Sequence, residues 1–326
     1  MDRKRVSVII PTLESGEYIE RSIMSILNQS YEDIEVVIVD DGSEDSTVSI
    51  VREIREQNDN VKLVQRESSG IPSARNRGIS EATGHYIANQ DSDDISHPDR
   101  LRMQIREMEK RDLDVIGTGT YDIDDSDRVL FRRNVIESIE TTHVRNGCPI
   151  INGTALMKKN NLDELNRYNT NFPVAEDKDL WVRMDKKGCN LGNVDKPLYM
   201  FRRHGDSAYA SNIEKAKTYG IASVLRADDR ISEQRLDKND IKFEKLRPEM
   251  SDQEVTNYYT EVCQEMVRYG YTESARKFAF NSLINGKYAR SIGIIGLSFM
   301  PQSLIDTIIK NYRIRIHNRK IKKKNK

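Results

Sequence analysis

Short β-branched runs alternate with amphipathic stretches through the first ninety residues of the chain. Val6-Ser7-Val8-Ile9-Ile10, closed by Pro11, has the composition of a buried strand. Ile19, Ile23, Ile26 and Leu27 recur at helical spacing, which predicts an amphipathic helix over 17–28. A second strand over 34–39 leads into Asp40-Asp41-Gly42-Ser43, where Gly42 permits a tight turn. Ser43 or Asp45 can then cap a helix carrying Val48, Val51 and Ile54. A third strand over 61–64, a third helix over 71–82 and the strand Tyr86-Ile87-Ala88 complete the series. Such alternation predicts an α/β fold, with a Rossmann-like, mostly parallel sheet flanked by helices on both faces.

After about residue 211 the strand signals stop and charged helical patterns take over, at 240–247, 255–269 and 271–284. The predicted organisation is therefore an α/β domain over 1–210 and a helical region over 211–326. Residues 291–301 are apolar but too few to span a bilayer, which takes about 20 residues. Leu304, Ile305, Ile308 and Ile309 share a helical face, and 313–326 is polybasic. An apolar face beside a basic tail is the pattern of a chain resting on an anionic membrane surface through 301–326; a solvated, frayed terminus is the plainer alternative.

Composition narrows the class. The 326 residues balance 52 basic against 52 acidic side chains, so net charge implies no nucleic-acid partner. Cys148, Cys189 and Cys263 are odd in number and lack any C-x-x-C pair, which disfavours a disulfide framework or a structural zinc site. The basic N-terminus runs into Pro11 too soon for a signal-peptide core. A cytoplasmic protein, peripheral at the membrane face if the tail attaches, is the expectation.

Three polar signatures fall just beyond predicted strand ends: Pro11-Thr12, Asp40-Asp41-Gly42-Ser43 and Asp91-Ser92-Asp93-Asp94. Ligands of open α/β sheets bind there. Three carboxylates in four residues repel one another unless a cation holds them. Hard divalent ions such as Mg²⁺ take carboxylates together with substrate phosphates, so D-x-D at a strand end points to a metal–phosphate site. Neither the dinucleotide fingerprint G-x-G-x-x-G nor a P-loop is present.

At this density of motifs the chain resembles the family 2 glycosyltransferases of GT-A fold. The resemblance rests on Val8-Ile9-Ile10-Pro11-Thr12, Ser25 through Tyr31, Val39-Asp40-Asp41-Gly42-Ser43, Ala74-Arg75-Asn76-Arg77-Gly78, Asp91-Ser92-Asp93-Asp94 and Ala175 through Trp181, in family order. It implies a catalytic domain over 1–210 with a C-terminal helical appendage, and metal-dependent, inverting transfer of a sugar from a nucleotide-diphosphate donor, first of all a UDP-sugar. The acceptor would be a hydroxyl of a glycan, a lipid-linked oligosaccharide or a surface polysaccharide.

The resemblance also assigns roles. Asp41 would bind the base, with Pro11 and Thr12 lining that pocket; a turn carboxylate capping the next helix is its structural alternative. Arg75 would lie near the nucleotide or diphosphate, and Asp91 would bind the ribose or support the metal through water. Asp93 would hold Mg²⁺ or Mn²⁺, with His204 as a further ligand and Arg202 as a diphosphate contact in the closed state. Asp177 would be the general base, with Glu176 and Trp181 on the acceptor side, although Trp181 read by itself is a core residue. Asp94 is expected to cap the helix near Pro98. The chain departs from the family at Leu13-Glu14, where Tyr-Asn is common, so an aliphatic side chain replaces the ring beside the base. Two other readings share these residues: a non-catalytic nucleotide-sugar binding protein, which needs no base at Asp177, and a sugar nucleotidyltransferase, which needs a Gly-rich phosphate loop that Ser15-Gly16 alone does not supply. A glycoside hydrolase needs paired carboxylates but no metal–diphosphate site.

Overall fold

The computed structural model describes residues 4–203, 213–232, 241–268 and Ala275. Its first half follows the predicted alternation: β1 (Val6–Thr12), α1 (Ile19–Leu27), β2 (Ile34–Asp40), α2 (Thr47–Glu56), β3 (Val61–Gln65), α3 (Ile71–Glu81) and β4 (Tyr86–Asn89). These strands lie parallel in the order β3-β2-β1-β4, with Val6 opposite both Ile34 and Tyr86. Successive β1 side chains serve opposite layers. Val6, Val8 and Ile10 pack with Ile19, Ile23 and Ile26 of α1, while Ile9 packs with Ala74 and Ile79 of α3. That division is why the strands read as unbroken apolar runs. Gly78 sets the α3 side: a Cβ there would lie 2.4 Å from Ile9 Cγ2, so only glycine lets the helix sit this close to the sheet.

The second half is mixed in direction. It contains β5 (Ile95–Ser96), α4 (Arg100–Lys110), β6 (Val115–Ile123), β7 (Val129–Arg133), α5 (Thr141–Asn146), β8 (Leu156–Lys158), α6 (Lys159–Glu164), α7 (Glu176–Lys187) and β9 (Leu191–Arg202). The sheet continues β4-β8-β6-β9-β5, with β7 added to β6, giving nine strands. β8 runs antiparallel to β4 and β6, whereas β6 and β9 are parallel.

Residues 121–133, which show no strand pattern in the sequence, make the β6–β7 hairpin. The polar run Asp124 to Asp127 forms only its turn: Asp124 Oδ1 accepts the N–H groups of Ser126 at 2.9 Å and Arg128 at 3.0 Å. An aspartate that bonds its own backbone a few residues on is a turn-former, not evidence of a long loop.

By compactness the chain divides into one unit of residues 1–205 and 222–240, and another of 206–221 and 241–326. The helix α8 (Ile213–Ala227) contributes to both. In the second unit, α9 (Phe243–Leu246) and α10 (Asp252–Arg268) build a small core of Ile213, Phe243, Val255, Tyr258 and Val262. Phe243 and Tyr258 stack at 3.9 Å. In the first unit, Arg226 of α8 reaches the buried carboxylate of Asp179 and covers the ring of Phe172 at 5.3 Å. Except for Ala275, the helix expected at 271–284 lies outside the described residues, as does the tail 301–326. Among the described residues no helix is long and apolar enough to cross a membrane.

Candidate active site

The carboxyl ends of β1, β2 and β4 bring the three polar signatures to one edge of the sheet. Thr12 pairs with Asp40 in register, and the N–H of Gln90 donates to the Ile9 carbonyl at 3.1 Å. Thr12 Oγ1 is buried with no hydrogen-bond partner among the described residues, Pro11 is half-buried, and Leu13 is exposed. Gly42 takes φ +98°, the left-handed turn expected of it. The Asp41 carboxylate is buried and accepts the N–H groups of Ser69 at 3.1 Å and Gly70 at 2.9 Å, with Arg66 Nε at 3.3 Å. It thereby pins the loop that enters α3. Asp45, not Ser43, bonds the start of α2, accepting the Thr47 N–H at 2.9 Å.

Arg75 is the centre of the arrangement. Its guanidinium, 6% exposed, donates to Asp91 Oδ1 at 2.9 Å and to Glu176 Oε1, joining the β4 end to α7. Burial disfavours its charge, but Glu176 and Asp91 outweigh that and raise its pKa. Tyr168 lies beneath it, ring centre 5.7 Å away, and bonds Asn89 and Asn152.

Within the acidic cluster the three carboxylates differ. Asp91 is partly exposed, and its N–H donates to Tyr199 Oη at 3.0 Å. Asp93 is half-buried, its carbonyl accepting Arg202 Nε at 2.8 Å. Asp94 is fully buried and accepts the Arg202 backbone N–H at 2.7 Å. It therefore does not cap the following helix, which begins at Arg100 without a side-chain cap. Burial, reinforced by Asp93 and Asp91, raises the Asp94 carboxyl well above its ordinary range.

Arg202, expected to meet the diphosphate in the closed state, is held within the protein in this structure. Its side chain is buried, donates to the carbonyls of Asp93 and Asp124, each at 2.8 Å, pairs with Asp127, and covers the Tyr18 ring at 4.7 Å. With those donors spent it clamps the acidic cluster to the β6–β7 turn. His204 lies outside the described residues.

Glu176 and Asp177 open α7, behind Ala175 at φ +57°. A non-glycine residue in that region costs of order 1–3 kcal/mol, and such residues gather at functional sites. Asp177 Oδ1 accepts the Lys178 N–H at 2.7 Å, and Oδ2 lies 3.3 Å from Cys148 Sγ. Although Cys148 as a residue is exposed, desolvation around its thiol and the nearby Asp177 push that thiol up, so it stays protonated and can donate. The Lys178 ammonium caps α5 by bonding the carbonyls of Val144, Arg145 and Gly147. Trp181 is fully buried in the core with Leu180 and Tyr168, so its side chain is no acceptor wall.

Sequence reading missed the polar network behind this edge. Arg100 is fully buried, bonding Gln90, Ser96, Gln104 and the Asn89 carbonyl, and it stacks on Tyr199 at 5.0 Å. Nothing in the local pattern separates Arg100 from solvated charges on the same helix. Cys148 and Asn152 reach the site from a segment with no recognisable motif.

For Glu176, burial pushes the carboxyl up to about 7; Arg75 opposes this and repulsion from Asp177 adds to it. A carboxyl with a folded-state pKa above its unfolded value, about 4.3, supports folding fully below that value and loses the support as pH rises through the folded pKa. Thermal unfolding should therefore show a stability decline between about pH 4.3 and 7 that is absent in Glu176→Gln. Parallel pH profiles for the two proteins would assign the decline to another group.

Among the described residues no cluster of three or more His, Cys, Asp or Glu forms a ready metal cage. Asp91 and Asp93 nevertheless fit an ion that uses one or two carboxylates and takes its other oxygens from substrate phosphates and water. Their main chains are fixed by Tyr199 and Arg202.

Comparison with known proteins agrees with this geometry. Residues 7–171 match the model for "Glycosyl transferase family 2". The putative glycosyltransferase EpsE of Bacillus subtilis is 33% identical over 227 residues, covering 68% of this chain and 80% of that protein. Among solved structures, Staphylococcus aureus TarS 1-349 in complex with UDP aligns over 90% of both chains with a TM-score of 0.57 at 18% identity. The mannosyltransferase PcManGT of Pyrobaculum calidifontis, in complex with GDP-Man and Mn2+, covers 90% of this chain and 79% of its own, with a TM-score of 0.55 at 15% identity. At those identities the structures speak for a shared GT-A fold. The family match and the EpsE relationship carry more: this chain belongs to glycosyl transferase family 2 and is a glycosyltransferase.

Proposed function

We propose that the protein is a metal-dependent, inverting glycosyltransferase that moves a sugar from a nucleotide-diphosphate donor to a hydroxyl of a glycan, a lipid-linked oligosaccharide or a surface polysaccharide. The observation that carries the reading is the Arg75 bridge. By binding Asp91 and Glu176 together, it sets the acidic cluster and the start of α7 on two sides of one guanidinium. The 1–210 segment supplies most of this catalytic unit, and work at the cytoplasmic membrane face, with 301–326 against anionic lipid, fits the acceptors named.

The donor base sits against Pro11, Thr12 and Asp41, where the orphaned Thr12 hydroxyl offers a hydrogen bond. Leu13 gives apolar contact in place of a ring, and a uridine diphosphate sugar is the first donor to test. Asp91 and Asp93 would hold Mg²⁺ or Mn²⁺; such an ion, when bound, offsets charge on the departing diphosphate. Asp177 accepts the proton of the acceptor hydroxyl as that oxygen attacks the anomeric carbon from the face opposite the diphosphate. The new C–O bond forms as the bond to the diphosphate breaks, which inverts the centre. The Lys178 N–H and the Cys148 thiol, one on each oxygen, hold the Asp177 carboxylate in orientation. Glu176, turned toward Arg75, stays out of that proton's path.

Incubating the purified chain with a panel of nucleotide sugars, with Mn²⁺ or with EDTA, tests the reading through release of nucleoside diphosphate. Asp93→Ala should raise the donor dissociation constant about tenfold or more in the presence of metal, the scale on which damaged metal sites lose affinity. Donor binding by this variant that matches wild type and ignores EDTA would remove Asp93 from the site.

A further inference from the structure

One charged cluster beside this site takes no part in donor binding or proton transfer as derived above. On the face of the β6–β7 hairpin, Asp122 is fully buried and receives Arg133 Nη2 at 2.7 Å and Arg203 Nε at 2.5 Å. Register puts Phe131 of β7 and Phe201 of β9 on either side of it. Arg133 covers the Phe201 ring at 5.2 Å, and Arg203 lies over Phe131 at 5.6 Å and Phe201 at 5.7 Å. We propose that Arg133 and Arg203, aimed by Asp122 and supported on Phe131 and Phe201, form an acceptor subsite for an anionic group, a phosphate or a carboxylate. The proposal deepens the transferase reading and rests on it.

Chemistry and position both favour this role. A planar guanidinium offers five N–H donors in a fork that matches phosphate and carboxylate oxygens. Asp122 takes one donor of Arg133 and leaves the rest of that fork unspent among the described residues, on a side chain 34% exposed. A fully buried carboxylate beneath two arginines is a poor way to gain stability, because desolvation offsets most of the attraction. It is an effective way to fix two guanidinium planes and their stacking on aromatic rings.

The cluster also adjoins the transfer site. Side chains alternate along a strand, so Tyr199 and Phe201 share one face of β9. Tyr199 Oη receives the Asp91 N–H, placing that face next to the acidic cluster. The same hairpin is fastened to Asp93 through Arg202, which bonds the carbonyls of Asp93 and Asp124. Arg132, by alternation on the other face, is engaged by Asp195. The anion-facing side therefore belongs to Arg133 and Arg203.

Equilibrium binding of fluorescent short-chain polyphosphate, oligogalacturonate and neutral dextran oligosaccharide to the full chain tests the proposal. One anionic probe should bind, the neutral one should not, and the stronger anion identifies phosphate or carboxylate. Saturating UDP should leave that binding in place, since the donor diphosphate lies elsewhere. Removing both arginines alone would strand a buried carboxylate, so the variants are R133Q and R203Q singly, each leaving Asp122 one arginine, and the triple D122N/R133Q/R203Q. The triple should weaken binding about tenfold or more, the scale of charge-assisted hydrogen bonds, and each single several-fold. A control with Lys320, Lys322, Lys323 and Lys324 changed to Gln removes the basic tail's own attraction for anions and should keep the share of binding that the triple loses. Binding lost in that control but kept in the triple, or displaced by UDP, overturns the subsite. If the probe binds through these arginines while wild type turns over no nucleotide sugar, the acceptor role falls together with the transferase reading. If donor turnover is present and no anion binds, the subsite alone falls.

Discussion

Asp177→Asn should lower the rate of sugar transfer by about 10²–10⁴-fold, the usual contribution of a positioned general base. Donor affinity should stay near wild type. The substitution keeps the side-chain shape and an oxygen for the Lys178 N–H. It removes the ability to take a proton, together with the oxygen that accepts the Cys148 thiol. Arg75, the link to the acidic cluster, bonds Glu176 and not Asp177, so the donor side has no direct stake in the change. Nucleoside-diphosphate release with acceptor, set against calorimetric donor binding, separates the two effects. Full transfer activity in this variant would falsify the base assignment.

Removing the central guanidinium should act on folding as well as on chemistry. In Arg75→Met the aliphatic bulk remains, but the buried Glu176 and the partly buried Asp91 lose their shared cation. Breaking a buried charge pair by deleting one member costs about 3–5 kcal/mol. For a unit of this size that corresponds to a melting temperature lower by roughly 10 °C. Adding Glu176→Gln should restore part of the loss, because one stranded carboxylate is then gone, whereas Asp91 still lacks its partner. If Arg75→Met melts within a degree of wild type, the bridge is not a structural support, and its role must be sought in the donor complex alone.

The first half of the fold was legible because its strands are buried on both faces, so that Val6 to Ile10 and Ile34 to Val39 announce themselves as apolar runs. The second half hides. β6 pairs with three neighbouring strands, but its Gly117, Thr118, Gly119 and Thr120 are small or polar and give no hydrophobic period. The turn at Asp124 to Asp127 then disguises a hairpin as a loop. In the site, short motifs marked the residues at strand ends and at the start of α7, since those chemistries need particular side chains at fixed spacing. What each side chain touches could not be read in the same way. Arg202, expected at the diphosphate in the closed state, clamps the acidic cluster to a turn here; Asp94 looked like a cap and sits beneath Arg202; Trp181, with two readings open, went to the core. Arg100 and Cys148 gave no signal, because long-range pairing leaves no local trace in the chain.

The contact between Arg226 and Asp179 has a practical meaning for anyone who would cut or graft this enzyme. The catalytic unit leaves the chain near residue 205 and comes back at 222, so its sequence is not one continuous stretch. A truncation at the apparent boundary near 210 would discard the returning helix and with it one of the two arginines that neutralise a buried aspartate two residues past Asp177. A transplanted module must carry both pieces, or it will arrive with the footing of α7 removed.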